Sequence, residues 1–107
     1  MNQLELQTKR NNVARLFRHS SKIHRNCIRL NVANSEEHEM AKARICWDLL
    51  KQGKEFLVEA ELENPFKKRC DIVDLDGTII EIVKSETEDS IEEKRKSYPL
   101  PIVVVKI

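Results

Sequence analysis

Asp71 and Glu81 stand ten positions apart in Arg69-Cys70-Asp71-Ile72-Val73-Asp74-Leu75-Asp76-Gly77-Thr78-Ile79-Ile80-Glu81-Ile82-Val83, a stretch otherwise rich in strand-forming apolar residues. Carboxylates in such strands are costly unless something uses their charge. Asp74 and Gly77 suit the first and fourth positions of a type I turn closed by a glycine with positive φ, which leaves Leu75, Asp76 and Gly77 as a three-residue loop. That register sets Asp74 against Thr78 and Asp71 directly opposite Glu81. A two-residue Asp76-Gly77 turn would pair Asp71 with Ile82 and throw the acids onto opposite faces. We adopt the first register, because it lets the two acids act together.

Three further residues can join them. At 100° per residue, His38 and Lys42 fall on the same stripe as Ala41, Ile45 and Leu49 of a predicted helix, with Cys46 and Leu50 beside it. Glu37, Arg44, Asp48 and Lys51 take the opposite side. A His and a Lys in the first turns of that helix are thereby aimed at the sheet. In the strand Glu55-Phe56-Leu57-Val58-Glu59-Ala60-Glu61-Leu62, alternation puts Glu59 and Glu61 on one face and Phe56, Val58, Ala60 and Leu62 on the other. Glu59 lies deeper in the strand and is the third candidate acid. Three carboxylates around one point repel unless a cation joins them. Mg²⁺ or Mn²⁺ held by Glu59, Asp71 and Glu81, with the Ile82 carbonyl and water completing the shell, is the hard-metal solution. A water on such an ion attacks phosphate esters more readily, so phosphodiester hydrolysis is the leading reaction class.

The elements that must position these residues follow in order. Asn34 or Ser35 caps a helix that runs to about Gln52 and stops at Gly53. Three strands follow, then a helix from about Ser85 to Ser97 ended by Pro99 and Pro101. Ile102-Val103-Val104-Val105 is β-branched without alternation, the pattern of a strand covered on both faces. The result is an αβββαβ sandwich of the α/β class around a mixed four-stranded sheet, the last strand parallel to its predecessor after a helical crossover.

Composition fits one small domain, 40% apolar and with only two glycines. No stretch is long and apolar enough to span a membrane, and three cysteines, Cys27, Cys46 and Cys70, read as reduced thiols, which points to a cytoplasmic protein. Charge is unevenly divided. Residues 1–33 hold seven Lys and Arg against one Glu, +6, whereas residues 34–107 hold 12 against 17, −5. We therefore read residues 1–33 as a basic, partly helical arm, with Lys9, Arg10, Arg15, Arg18, Lys22 and Arg25 able to contact nucleic-acid phosphate. The competing reading packs those charges against the acids of the body. His19, His24 and Cys27 lack a second ligand pair at zinc spacing.

Taken together, Ser35-Glu36-Glu37-His38 with Lys42, Glu59, Arg69-Cys70-Asp71-Ile72-Val73 and Ile80-Glu81-Ile82-Val83-Lys84-Ser85 resemble the PD-(D/E)xK nuclease superfamily. The likeness is greatest to its branch related to competence protein CoiA. It covers residues 34–107 and implies a restriction endonuclease-like fold, Mg²⁺ dependence and DNA as substrate for that nuclease-like domain. The chain departs from the pattern at Val83, where the superfamily has Lys, or Gln in that branch. Lys84 should point to the other face of its strand, leaving Lys42 or Lys94 to supply the cation. Two further expectations stand beside this one: a catalytically silent nucleic-acid-binding or regulatory protein on the same fold, and a homodimer that covers an exposed sheet edge.

Overall fold

The computed structural model describes residues 1–18, 25–63, 65–66 and 68–107. Its elements are α1 (Gln3–Ala14), α2 (Glu36–Lys51), β1 (Phe56–Glu61), β2 (Arg69–Asp74), β3 (Thr78–Val83), α3 (Glu88–Ser97) and β4 (Ile102–Lys106). The fold is mixed α/β with a four-stranded sheet in the order β1-β2-β3-β4, antiparallel except for the β3–β4 pair, which is parallel.

Local chemistry explains the boundaries. Ser35 caps α2 by accepting the His38 N–H at 3.1 Å, with Glu36, Glu37 and Glu39 in the first turn where the helix dipole favours anions. Gly53, at φ +71°, ends it, and the Lys54 N–H returns to the Leu49 carbonyl at 3.0 Å. Between β2 and β3 the Gly77 N–H donates to the Asp74 carbonyl at 2.9 Å, and Gly77 takes φ +118°. The three-residue loop and its register are as the turn chemistry predicts: Asp74 with Thr78, Val73 with Ile79 and Ile72 with Ile80.

Two apolar clusters sandwich the sheet. Beneath α2 lie Cys46, Leu49, Phe56, Val58, Ile72 and Ile82; on the other face Val13 and Phe17 pack with Leu57, Ala60, Leu62, Cys70, Val73, Leu75, Ile79 and Ile102. The strict alternation expected of Phe56, Val58, Ala60 and Leu62 is therefore broken. Phe56 and Val58 face α2, while Ala60 and Leu62 face away from it. Glu59, at φ +51°, turns the strand over between them, and β2 changes face at the same level, between Cys70 and Ile72. Left-handed backbone at a glutamate is strained and persists only where its surroundings hold it.

Two more expectations need correction. β4 is an edge strand, and Val103 is 51% exposed, so its apolar run is not covered on both faces. On α2, Leu50 is exposed, and the buried stripe runs through Glu39, Lys42, Cys46 and Leu49.

Residues 1–18 form part of the same packed body. Beyond burial of Val13 and Phe17, the Arg18 N–H donates to the Glu61 carbonyl at 2.8 Å and Phe17 bridges to Leu62, covering the outer edge of β1. Asn26 closes the start of that edge, donating to the Phe56 carbonyl at 2.9 Å and accepting its N–H at 3.0 Å. No helix among the described residues is long and apolar enough to cross a membrane.

Candidate functional site

Glu59, Asp71 and Glu81 occupy one level across three neighbouring strands, and it is there that the ladders part. β1 pairs with β2 at Val58–Ile72 and again at Ala60–Cys70, skipping Glu59 and Asp71; the β2–β3 ladder stops at Ile72–Ile80. Side chains take over the bonding. Glu81 Oε2 accepts the Asp71 N–H at 2.9 Å, and Asp71 Oδ2 accepts the Ile82 N–H at 2.8 Å. Each acid thus reaches back to the opposite strand.

Burial, reinforced by the Asp71 charge and opposed by the Asp71 N–H and Lys94, pushes Glu81 up to about 7. Glu81 is 4% exposed, and its nearest side chains on the α3 face are Tyr98, whose hydroxyl donates to Oε1 at 3.3 Å, and Lys94, whose Nζ is 3.8 Å away. Burial and the Glu81 charge also raise the Tyr98 phenol and the Cys70 thiol above their ordinary ranges, so both stay protonated.

From Asp71 a polar chain runs into α2. His38 Nε2 lies 3.4 Å from Asp71 Oδ2 and its Nδ1 3.2 Å from Glu39 Oε1; a neutral imidazole can donate to one of them at a time, an imidazolium to both. Glu39 in turn meets Lys42, whose Nζ is 2.5 Å from Oε2 and 3.5 Å from Glu59 Oε1. Those contacts are ion pairs without aligned N–H geometry, since Lys42 Nζ makes no hydrogen bond among the described residues. Asn31 donates its backbone N–H to Glu39 and its side-chain amide to Glu59, Asn34 donates to Glu39 at 2.6 Å, and Arg29 lies 3.6 Å from Glu59. Burial raises the Glu39 pKa, but Lys42, Asn34 and Asn31 outweigh it and hold the group ionised, down to about 2.

Comparison with family models, with curated proteins and with solved structures finds no match for this chain.

All five residues singled out from the sequence, His38, Lys42, Glu59, Asp71 and Glu81, therefore belong to one connected network. They divide into two groups. Asp71 and Glu81 form a coupled pair, whereas the Glu59 carboxylate is held by Lys42, Asn31 and Arg29, and no three His, Cys, Asp or Glu side chains among the described residues gather as a metal cage. The donor set of Asp71 and Glu81 still fits a hard divalent ion. Mg²⁺ is commonly bound through one or two carboxylates with water and phosphate oxygens, and the Asp71 charge and burial that push Glu81 up are what such an ion would offset. Lys42 is fully buried and, among the described residues, connects to Asp71 through Glu39 and His38, so its ammonium is not presented to a phosphate. Lys84 is drawn to Glu37 at 3.2 Å, and Val83, at the departure from the superfamily pattern, is buried. That leaves Lys94 as the cation beside Glu81.

Sequence reasoning missed Glu39, the centre of the network. It sits three residues before Lys42, about 60° away on the helical wheel and next to His38, so the wheel contained the signal. Tyr98 carried none, because its approach to Glu81 depends on how α3 returns to the sheet.

In the basic segment, Arg10 bonds Glu55 and Asp76, each at 3.0 Å, Arg25 bonds Glu55 at 3.1 Å, and Arg18 bonds Glu61 at 3.2 Å. Lys9 and Arg15 are exposed, and Lys22 lies outside the described residues, as do His19 and His24.

Proposed function

We propose that this chain is a divalent-metal-dependent hydrolase of nucleic-acid phosphodiesters. The observation that carries the reading is the Asp71–Glu81 pair: two carboxyls where β2 leaves both neighbours, one of them pushed up to about 7, with no cation among the described residues nearer Glu81 than Lys94 at 3.8 Å. The order α2-β1-β2-β3-α3-β4, with β4 parallel to β3, supports a restriction endonuclease-like reading of residues 34–107.

Asp71 and Glu81 would hold Mg²⁺ or Mn²⁺, and the ion would activate water and polarise the phosphate. His38 orients the Asp71 carboxylate from the α2 side and can exchange a proton with water beside it. Glu39 fixes His38 and is itself held by Lys42, making both positioning residues. Lys94, partly exposed, stabilises charge that develops on the phosphate. Arg18, in an exposed ion pair that contributes little, remains able to exchange Glu61 for a phosphate, and Lys9 and Arg15 are exposed as well.

Cleavage of plasmid and single-stranded DNA with Mg²⁺ or Mn²⁺ is the test. Wild type should cut, and Asp71→Asn and Glu81→Gln should fall to background while keeping the wild-type fold by circular dichroism. Cleavage by Asp71→Asn at the wild-type rate would overturn the assignment.

The second reading, a catalytically silent binding module, is favoured by Val83 and by the burial of Lys42. Nucleic-acid binding that weakens steeply with salt, ignores Mg²⁺ and leads to no cleavage would select it.

A further inference from the structure

A polar groove of about 340 Å³ opens on the α3 side of the sheet, lined by Lys68, Ser90, Glu93, Lys94, Ser97 and Tyr98. Its inner wall is the acid pair's own surroundings, for Tyr98 and Lys94 both reach Glu81. From these positions we propose that the groove holds the sugar-phosphate backbone of a nucleic-acid strand and leads one of its esters to Asp71 and Glu81. For the chemistry at that inner end, the inference rests on the hydrolase reading above.

The form of the groove favours a strand over a compact anion. Ser90, Lys94 and Ser97 recur at helical spacing on α3, a row about 10 Å long at 1.5 Å per residue, with Lys68 at the entry to β2 on the same groove. A line of polar groups running along α3, with two ammonium groups on the groove, suits an extended sugar-phosphate strand better than a single tetrahedral anion, which is best held by a converging ring. Lys94 spans Glu86 at 2.9 Å and Glu81 at 3.8 Å, so it can release Glu86 to a phosphate while staying beside the acid pair. Ser97 donates its hydroxyl to the Glu93 carbonyl at 2.7 Å and leaves its oxygen lone pairs for water or a sugar hydroxyl. Glu93, the one acid of the lining, opposes anions; of the two lysines, Lys94 is shared with Glu86 and Glu81, and Lys68 is the lysine at the groove's other end.

The test is binding of a fluorescent oligothymidylate to the full chain in EDTA, over a salt series, for wild type, Lys68→Gln and Lys51→Gln. Lys68 is chosen because Lys94 also touches Glu81; Lys51, on the solvent side of α2 beside Asp48, serves as the control. Lys68→Gln should weaken binding and reduce the slope of log affinity against log salt by about 0.7, while Lys51→Gln changes neither. In parallel, the amides of Ser90, Lys94 and Ser97 should shift on adding the oligonucleotide. An unchanged slope in Lys68→Gln, or shifts confined to other surfaces, would overturn the groove. So would inorganic phosphate displacing the oligonucleotide at equal charge concentration, since the site would then take compact anions. Failure here with a Mg²⁺ response at Asp71 leaves the hydrolase reading intact. Binding along α3 with no Mg²⁺ response anywhere supports the groove and removes the hydrolase.

Discussion

Glu39 and Glu81 are almost equally inaccessible, 5% and 4% exposed, yet one is held ionised down to about 2 and the other is pushed up to about 7. Burial is the largest single cause of the Glu81 rise. The larger lesson is in the partners. Glu39 has Lys42 against one oxygen, Asn34 on the other and the Asn31 N–H. Glu81 has one backbone N–H, a tyrosine hydroxyl at 3.3 Å, an ammonium at 3.8 Å and a second carboxyl beside it. Burial raises the cost of a charge, and the balance of nearby charge decides whether that cost is met. The α2 side of the network is compensated, whereas at the β2–β3 fork the ammonium near Glu81 among the described residues is that of Lys94 at 3.8 Å; the proposed divalent ion would supply the charge missing there.

The harshest way to break the comparison is to remove the compensating cation. Lys42→Met leaves buried Glu39 and half-buried Glu59 beside each other's charge and should cost about 3–5 kcal/mol in urea denaturation at pH 7. A loss below about 1 kcal/mol would mean that the α2 network is not held together by its charges.

At the fork the opposite sign applies. Glu81 titrates higher folded than unfolded, so between about pH 4.5 and 7 the native state binds more protons, and stability falls as pH rises through that window. Glu81→Gln removes this penalty. Without metal it should match wild type below pH 4.5 and exceed it by about 3 kcal/mol above pH 7, at 1.36 kcal/mol per unit. Glu39 behaves the other way: its contribution is present above pH 4.5 and is lost as pH falls toward 2.

A smaller change tests compensated charge elsewhere. Arg10 joins α1 to Glu55 and to Asp76 of the hairpin loop, with its side chain 11% exposed, so Arg10→Gln should cost about 1–2 kcal/mol. The smallest effect bears on the register that brings the acids together. Gly77 has open space around it but φ +118°, so Gly77→Ala should cost about 1 kcal/mol through backbone strain alone, with the Asp71–Glu81 coupling retained. Loss of that coupling would show that the loop had slipped to the two-residue form.

Much of the frame was legible because it rests on local chemistry. Asp74 and Gly77 specify a loop type and hence a register, and Ser35 and Gly53 mark the ends of α2 within a residue. What was not legible depends on neighbours distant in sequence. Nothing about a glutamate announces φ +51°, yet at Glu59 that angle moves Ala60 and Leu62 to the other face and brings the Glu59 carboxylate to Lys42 instead of Asp71. Residues 1–18 have little amphipathic pattern, and their place in the fold is set by Phe17 and by Arg10 meeting acids 45 and 66 positions away. The apolar run of β4 resembled a covered strand, but residue types alone cannot tell an edge from a centre, and in this sheet β4 lies at the edge.

The central claim is that the Asp71–Glu81 pair is short of positive charge and binds a divalent cation. Carbon-13 NMR titration of the Glu81 carboxyl, with and without Mg²⁺, measures this directly. The account predicts a midpoint near 7 in the absence of metal and one below 5 with Mg²⁺ bound. A midpoint near 4.5 that ignores Mg²⁺ would contradict it.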